Sequence, residues 1–216
     1  TGVAMQLAIG IAPAARAARL FRSADGADYL LTPVSPHILR IARRAGGQGA
    51  ANNDDGALDD VTWPAPHAVA GRGAPVRVGA FTIRFADGGG SLTIEAGGRR
   101  VQRLSFDGAG VAFDLGEGPL LGLGQGGPQF DRRGSFDRMK SGQGGYELAT
   151  HGARVPIPWL VGTGGGWALF VHTPTGAFDL TGTRSVFRPN ADGDIDIFVV
   201  DAADPAAVMR AYATIT

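Results

Sequence analysis

The chain has 216 residues, 44% hydrophobic and 19% charged, enough apolar material for one large domain with its own core, which excludes a disordered chain. Basic and acidic residues balance at 20 each, so the formal net charge is zero and bulk electrostatics point to no nucleic-acid or membrane partner. Cysteine is absent, which removes disulfides and thiolate chemistry, and no apolar run approaches the roughly eighteen residues that span a membrane.

Lys140 is the single lysine; the arginine bias fits a GC-rich bacterial genome and leaves the compartment open between periplasm and cytoplasm. The count of 35 glycines and 13 prolines, without a fixed period, implies many turns and therefore many short strands. The first residues, TGVAMQLAIGIAPAARAARLF, are mildly apolar with neither a basic leader nor an initiating Met, which suits a cleaved signal or a trimmed chain. Val3, Met5, Leu7 and Ile9 alternate with smaller or polar residues, the period of a half-buried strand. A strand over 17–22 is expected to turn at Asp25-Gly26 into a second over 28–31. The segment His37–Arg44 sets Leu39 and Ile41 on one face and Arg40 and Ala42 on the other. His37, just after Pro36, reads as a solvated or satisfied histidine.

Residues 45–60, AGGQGAANNDDGALDD, read as a surface loop. Asn52, Asn53, Asp54 and Asp55 offer oxygen ligands but lack a following bidentate glutamate, so no metal is expected there. Trp63-Pro64-Ala65-Pro66 is extended, because a residue before proline leaves the helical region. From Val76 the alternation sharpens through Phe81/Ile83/Phe85, Leu92/Ile94, Val101/Leu104/Phe106 and Val111/Phe113/Leu115, broken by glycine turns. Strands recurring roughly every eight to twelve residues argue for a sandwich or barrel rather than βαβ units.

Pro119–Gly134, PLLGLGQGGPQFDRRG, is the most informative stretch. Its glycines formally match a dinucleotide fingerprint at Gly122, Gly124 and Gly127, but no helix follows to hold a pyrophosphate. Two readings remain for the stretch by itself. It is a glycine-rich turn with solvated charges, or a rim that raises Gln129, Phe130, Asp131, Arg132 and Arg133 off a sheet. Residues 135–145 lack a core pattern, and a strand resumes over 146–150. Val155–Val161 carries prolines at alternate positions, which suits an edge or rim strand. Trp167–Val171 has both faces apolar. Asn190, Asp192, Asp194 and Asp196 invite a calcium reading, but Ile195 stands where the loop needs glycine, so an Asp-Gly turn into a strand over 195–200 is expected. Asp204-Pro205 opens the one convincing helix, with Val208, Met209 and Tyr212 as its apolar stripe.

Catalytic groupings are weak. Asp131 and Asp137 are expected in a turn whose arginines favour the ionised carboxylate, so neither suits the protonated acid of an acid/base pair. Ser135 and His151 lack the strained turn that presents a nucleophile.

In order, LLGLGQGGPQFDRRG, GGYELATHGARVPIPWLV, GGWALFVHTPTGAFDLTG and IDIFVVDAADPAAVMRAYATIT resemble the N-terminal domain of glycoside hydrolase family 31. That family has a "GLGE"-like strand end, a "DRRG"-like turn, a "Y-x-L-W-N" strand and a last strand leading to a short helix before a catalytic barrel. The likeness is specific from Leu120 onward and looser over 30–115. Gln125 replaces the usual Glu, and Ala149-Thr150-His151-Gly152 replaces the usual Trp-Asn-x-Asp.

The resemblance implies an all-β fold, a two-sheet antiparallel β-sandwich of the galactose mutarotase-like kind with a short C-terminal helix. Residues 1–216 would form a single domain, with 1–30 as peripheral strands and 203–216 as a helix leading toward an absent barrel. It further implies a domain silent by itself in a retaining α-glucosidase or α-xylosidase, packed on the barrel and lending a loop to the substrate mouth. The implied substrate-binding residues are Gln129, Asp131, Arg132, Arg133, Gln143, Thr150, His151 and Arg154, with Phe130, Tyr146 and Trp159 as candidate stacking aromatics. The implied partners are an α-linked glucoside or xyloside oligosaccharide and the barrel; no cofactor, no catalytic residue and no metal is expected in this chain. Two other readings stay open. One is a stand-alone carbohydrate-binding module; the other is a mutarotase-like aldose epimerase, for which His151 and His172 are the available histidines.

Overall fold

The computed structural model describes residues 21–22, 26–45, 58, 74–107, 109–126, 129–140, 154–173, 175–190, 193–202 and 204–216. The predicted strands over 3–9 and 146–150, the Asn52–Asp55 cluster and the Trp63–Pro66 segment lie outside them.

Two antiparallel sheets make up the structure. The first is seven-stranded, in the order β1 (Phe21–Arg22), β2 (Asp28–Ser35), β3 (Ile38–Arg44), β15 (Ile195–Asp201), β12 (Trp167–Val171), β11 (Trp159–Gly162) and β9 (Leu120–Gly122). The second is eight-stranded: β10 (Phe136–Arg138), β13 (Gly176–Asp179), β14 (Arg184–Pro189), β8 (Val111–Asp114), β7 (Arg99–Phe106), β6 (Ser91–Ala96), β5 (Phe81–Phe85) and β4 (Val76–Val78). One helix among the described residues, α1 (Pro205–Ile215), follows β15. This is the all-β sandwich the sequence implied.

The period of two explains the layering. Leu39, Ile41, Ile197, Val199, Leu169 and Val171 point inward from the first sheet and join Phe81, Ile83, Ile94, Phe113, Phe178 and Phe187 of the second in one core. The alternate residues Ile38, Phe170, Phe198 and Val200 face outward and are covered by Val208, Ala211 and Ile215 of α1. Hence the fully apolar β12, whose two faces meet two different layers. Asp204 caps the helix by accepting the amide of Ala207 at 2.8 Å, and Pro205 opens the first turn.

Three local expectations change. The proline-bearing run ends in β11, which is internal and not an edge: β9 lies beyond it, and Pro156 and Pro158 fall between Val155, which pairs with Gln125, and the first residue of β11. Residues 136–138, expected as patternless loop, form the edge strand β10 with Asp137 fully buried. The buried stripe of α1 is Val208, Ala211 and Ile215, while Met209 is 61% exposed.

Candidate functional site

The rim sits where the two sheets present neighbouring edges, β9 for the first and β10 for the second. Beyond β9 the backbone runs through a series of left-handed residues, Gly122, Leu123, Gly124 and Gly126, at φ of 106°, 59°, 80° and 74°. Glycine takes that conformation without penalty, and Leu123 is held in it by complete burial. A side chain at Gly122 or Gly124 would also overlap the carbonyls of Trp159 and Val155. The segment keeps pairing on its inner side, Leu123 N to Trp159 O at 2.7 Å and Gln125 N to Val155 O at 2.9 Å.

Among the described residues its outer side has no strand beside it. The Asp131-Arg132-Arg133 turn lies there instead. Asp131 Oδ1 accepts the amide of Leu120 at 2.9 Å and of Arg133 at 3.0 Å, and the amide of Arg132 donates to Leu120 O at 2.7 Å. The Arg132 guanidinium donates to the carbonyls of Gly122, Gly124 and Gly126 at 3.0, 3.2 and 2.7 Å. Arg133 reaches the carbonyls of Gly116 at 3.1 Å and Gly118 at 3.0 Å. These charges are therefore not merely solvated. Together they satisfy the row of backbone groups that an edge strand leaves open. Burial works against the Asp131 charge, but the two amides and Arg133 outweigh it and hold the carboxyl below its usual range.

Arg154 joins the two edges. It is 2% exposed; Nη2 donates to both carboxylate oxygens of Asp137 at 3.0 and 2.8 Å, and Nη1 to the carbonyls of Gln125 and Val155 at 2.8 and 3.2 Å. The forked hydrogen bonds that the sequence offered to sugar hydroxyls are made here to Asp137, which lies in a strand and not in the expected turn. Gln129 and Phe130 stand at the surface, Gln129 Nε2 donating to Arg133 O at 2.7 Å and Phe130 being 80% exposed. Trp159 is buried against Tyr212 of α1, ring centroids 5.2 Å apart. Gln143, Thr150, His151 and Tyr146 lie outside the described residues.

One cluster went unread in the sequence. Asp196, 1% exposed on the outer face of the first sheet, takes both oxygens to Arg40 Nε at 2.9 and 3.0 Å and lies 3.4 Å from His172 Nδ1. Burial opposes its charge, yet hydrogen bonds from Arg40 and His172 and their positive charge hold the carboxyl below its ordinary range. No sequence signal marks it: the pairing of β3 and β15, seen only in the structure, sets Arg40 opposite Phe198, beside Asp196. Asp194 likewise accepts the amide of Ala45 at 2.9 Å and Arg44 at 3.3 Å, so this acidic run braces a sheet. Among the described residues no group of three or more His, Asp or Glu side chains has a metal-binding arrangement. No described helix is long and apolar enough to cross a membrane.

No protein-family model and no curated protein sequence matches the chain. Solved structures do. A glycoside hydrolase family 31 dextranase from Flavobacterium johnsoniae, complexed with isomaltotriose, superposes with a TM-score of 0.70 over 88% of this chain at 18% identity. A family 31 α-xylosidase from a soil metagenome, complexed with xylose, gives 0.67 over 89% at 15% identity. The fold is one that family 31 glycoside hydrolases contain. A xylosidase from Aspergillus niger repeats the match at 0.61 over 86% and 15% identity. The chain spans only 26%, 32% and 30% of these three proteins. The shared fold thus makes up about a third or less of each of these proteins.

Proposed function

We propose that this chain is the N-terminal, non-catalytic domain of a retaining α-glycosidase of glycoside hydrolase family 31, of the α-glucosidase or α-xylosidase class. The observation that carries the reading is the shared fold, extending over nearly all of this chain and a third or less of each neighbour. In this reading the sandwich packs on a catalytic barrel and its rim borders the substrate mouth. Gln129 reaches the sugar, and Asp131, Arg132, Arg133 and Arg154 fix the backbone of the rim. The substrate is an α-linked glucoside or xyloside oligosaccharide.

The chemistry of three carboxylates, Asp131, Asp137 and Asp196, supports a silent domain. A retaining glycosidase needs two carboxyl groups about 5 Å apart, one of them protonated before the first step. Asp137 is taken up by Arg154, Asp196 by Arg40, and Asp131 is held ionised by amides. None of the three is placed to give up a proton to a leaving group. An epimerase using His172 as acid or base meets a similar obstacle, because the ring is buried against Asp196 and Phe170.

The test is to assay the purified chain and the full-length product of its gene on aryl α-glucosides and α-xylosides. Turnover is expected from the full-length product alone. Activity that stays with the isolated chain through purification would refute the silent-domain claim, and a gene encoding no barrel would remove the parent enzyme.

A further inference from the structure

The second sheet turns a charged face away from the core. Along β4 to β8 and β14 the residues that alternate with buried ones include six exposed arginines, Arg77, Arg84, Arg100, Arg103, Arg184 and Arg188. Glu95 and Asp114 are the carboxylates of the same face on these strands, and the neighbouring strands add one charge of each sign, Asp179 on β13 and Arg138 on β10. The formal net charge of zero thus hides a segregation. Acids such as Asp137 and Asp196 are buried in ion pairs, while one sheet face is left strongly positive.

Strand register orders these charges. Arg84 lies opposite Thr93, and Thr93 opposite Arg103; farther along, Arg184 lies opposite Asp114. An arginine therefore stands on every second strand, β5, β7 and β14, at intervals of about 10 Å. Thr93 and Asp114 keep the like charges apart, which would otherwise repel across the ladder. The guanidinium groups of Arg103 and Arg184 make no hydrogen bond or ion pair among the described residues, and Arg84 approaches Glu95 at 3.5 Å. Hydroxyls fill the space between, with Ser91 and Ser105 linked at 2.6 Å.

A matching partner is extended, anionic at wide intervals and rich in hydroxyls that can both donate and accept. Nucleic-acid strands carry a phosphate about every 3.4 Å of axis, and single strands are held on aromatic rings. None of the outward residues of these six strands is aromatic. Membrane-binding faces set large apolar side chains beside their cations, whereas the outward apolar residues here are Ala112 and Val186. A polyuronate supplies carboxylates for the arginine forks and hydroxyls for Thr93, Glu95 and Asp114. We propose that this face is a docking surface for an acidic polysaccharide of the polyuronate class, lying across the strands along Arg84, Arg103 and Arg184. This surface goes beyond the family 31 reading and is separate from the rim beside β9.

The experiment titrates the 216-residue chain calorimetrically with an oligogalacturonate and with a neutral malto-oligosaccharide of equal length. Saturable binding is expected for the oligogalacturonate alone, fading as salt rises to about 1 M, where the screening length is about 3 Å. The triple variant Arg84→Gln/Arg103→Gln/Arg184→Gln should bind roughly tenfold more weakly with unchanged thermal melting, since all three side chains are exposed. Arg210→Gln, which removes an exposed charge from α1, should bind as wild type does. Should the triple variant fail to fold, Arg103→Gln alone supplies the comparison, with a loss of about two- to threefold. Absence of saturable binding at low salt, equal affinity for the neutral sugar, or undiminished binding by the arginine variants overturns the proposal. Tighter binding of oligothymidylate or of phosphatidylglycerol vesicles than of oligogalacturonate overturns it too, by assigning the face to another class of polyanion.

Discussion

Arg154 and Asp137 meet with almost no solvent around them, side chains 1% and 0% exposed, Asp137 on β10 and Arg154 next to Val155, which pairs with Gln125. Such a pair contributes little against a well-packed apolar substitute, but removing one partner leaves a buried charge alone. We expect Arg154→Ala to lower stability by about 3–5 kcal/mol in urea titrations, and a double replacement of both partners by apolar residues to recover much of the loss. Recovery absent from the double variant would show that the pair supplies more than mutual neutralisation. The Asp196 carboxyl gives a second handle. Its folded value lies below that of an ordinary aspartate, so its stabilisation is complete above the ordinary value and fades as pH falls through the folded one. Unfolding midpoints should therefore drop on acidification below about pH 4, and Asp196→Asn should flatten that decline. An unchanged acid limb in the variant would locate the acid sensitivity elsewhere.

At the scale of elements, the open flank of β9 is the point of interest. Edge strands invite pairing with other chains, and proteins blunt them with charge or cover. Here one guanidinium occupies three outward carbonyls in succession, those of Gly122, Gly124 and Gly126. Arg132→Ala should cost about 2 kcal/mol or more through lost charge-assisted hydrogen bonds. It should also raise the oligomeric fraction in size-exclusion chromatography; a variant that is destabilised yet stays monomeric would rule out the edge-covering role. The same geometry accounts for the glycines. Their left-handed turns bring alternate carbonyls into reach of a single side chain, which a regular strand with bulky residues would keep apart.

Across the whole molecule, the central pairings are remote in sequence. β3, near the start of the described chain, pairs with β15, the last strand, through six residues from Ile195↔Arg43 to Val200↔Ile38. Loop closure must precede any gain from such contacts, so folding is slow. Stopped-flow refolding should fall in the range of roughly milliseconds to seconds, with the curvature at low denaturant that chains of this size show through intermediates. Refolding complete within microseconds would contradict the topology.

The sequence determined the sandwich, the inward and outward faces of its strands, and the Asp204-Pro205 helix start, because alternation and capping are local patterns that a chain carries wherever it goes. The resemblance from Leu120 onward likewise pointed to the fold found in family 31 enzymes. Which strands are edges was decided only in three dimensions, as was the partner of each charge. Asp137 and Arg154 sit 17 positions apart with nothing in their spacing to pair them, and Arg40 and Asp196 are 156 apart. Charged side chains look alike in one dimension, whether they face water, a ligand or a carbonyl. Burial separates these cases, and burial is a property of the assembled sheets.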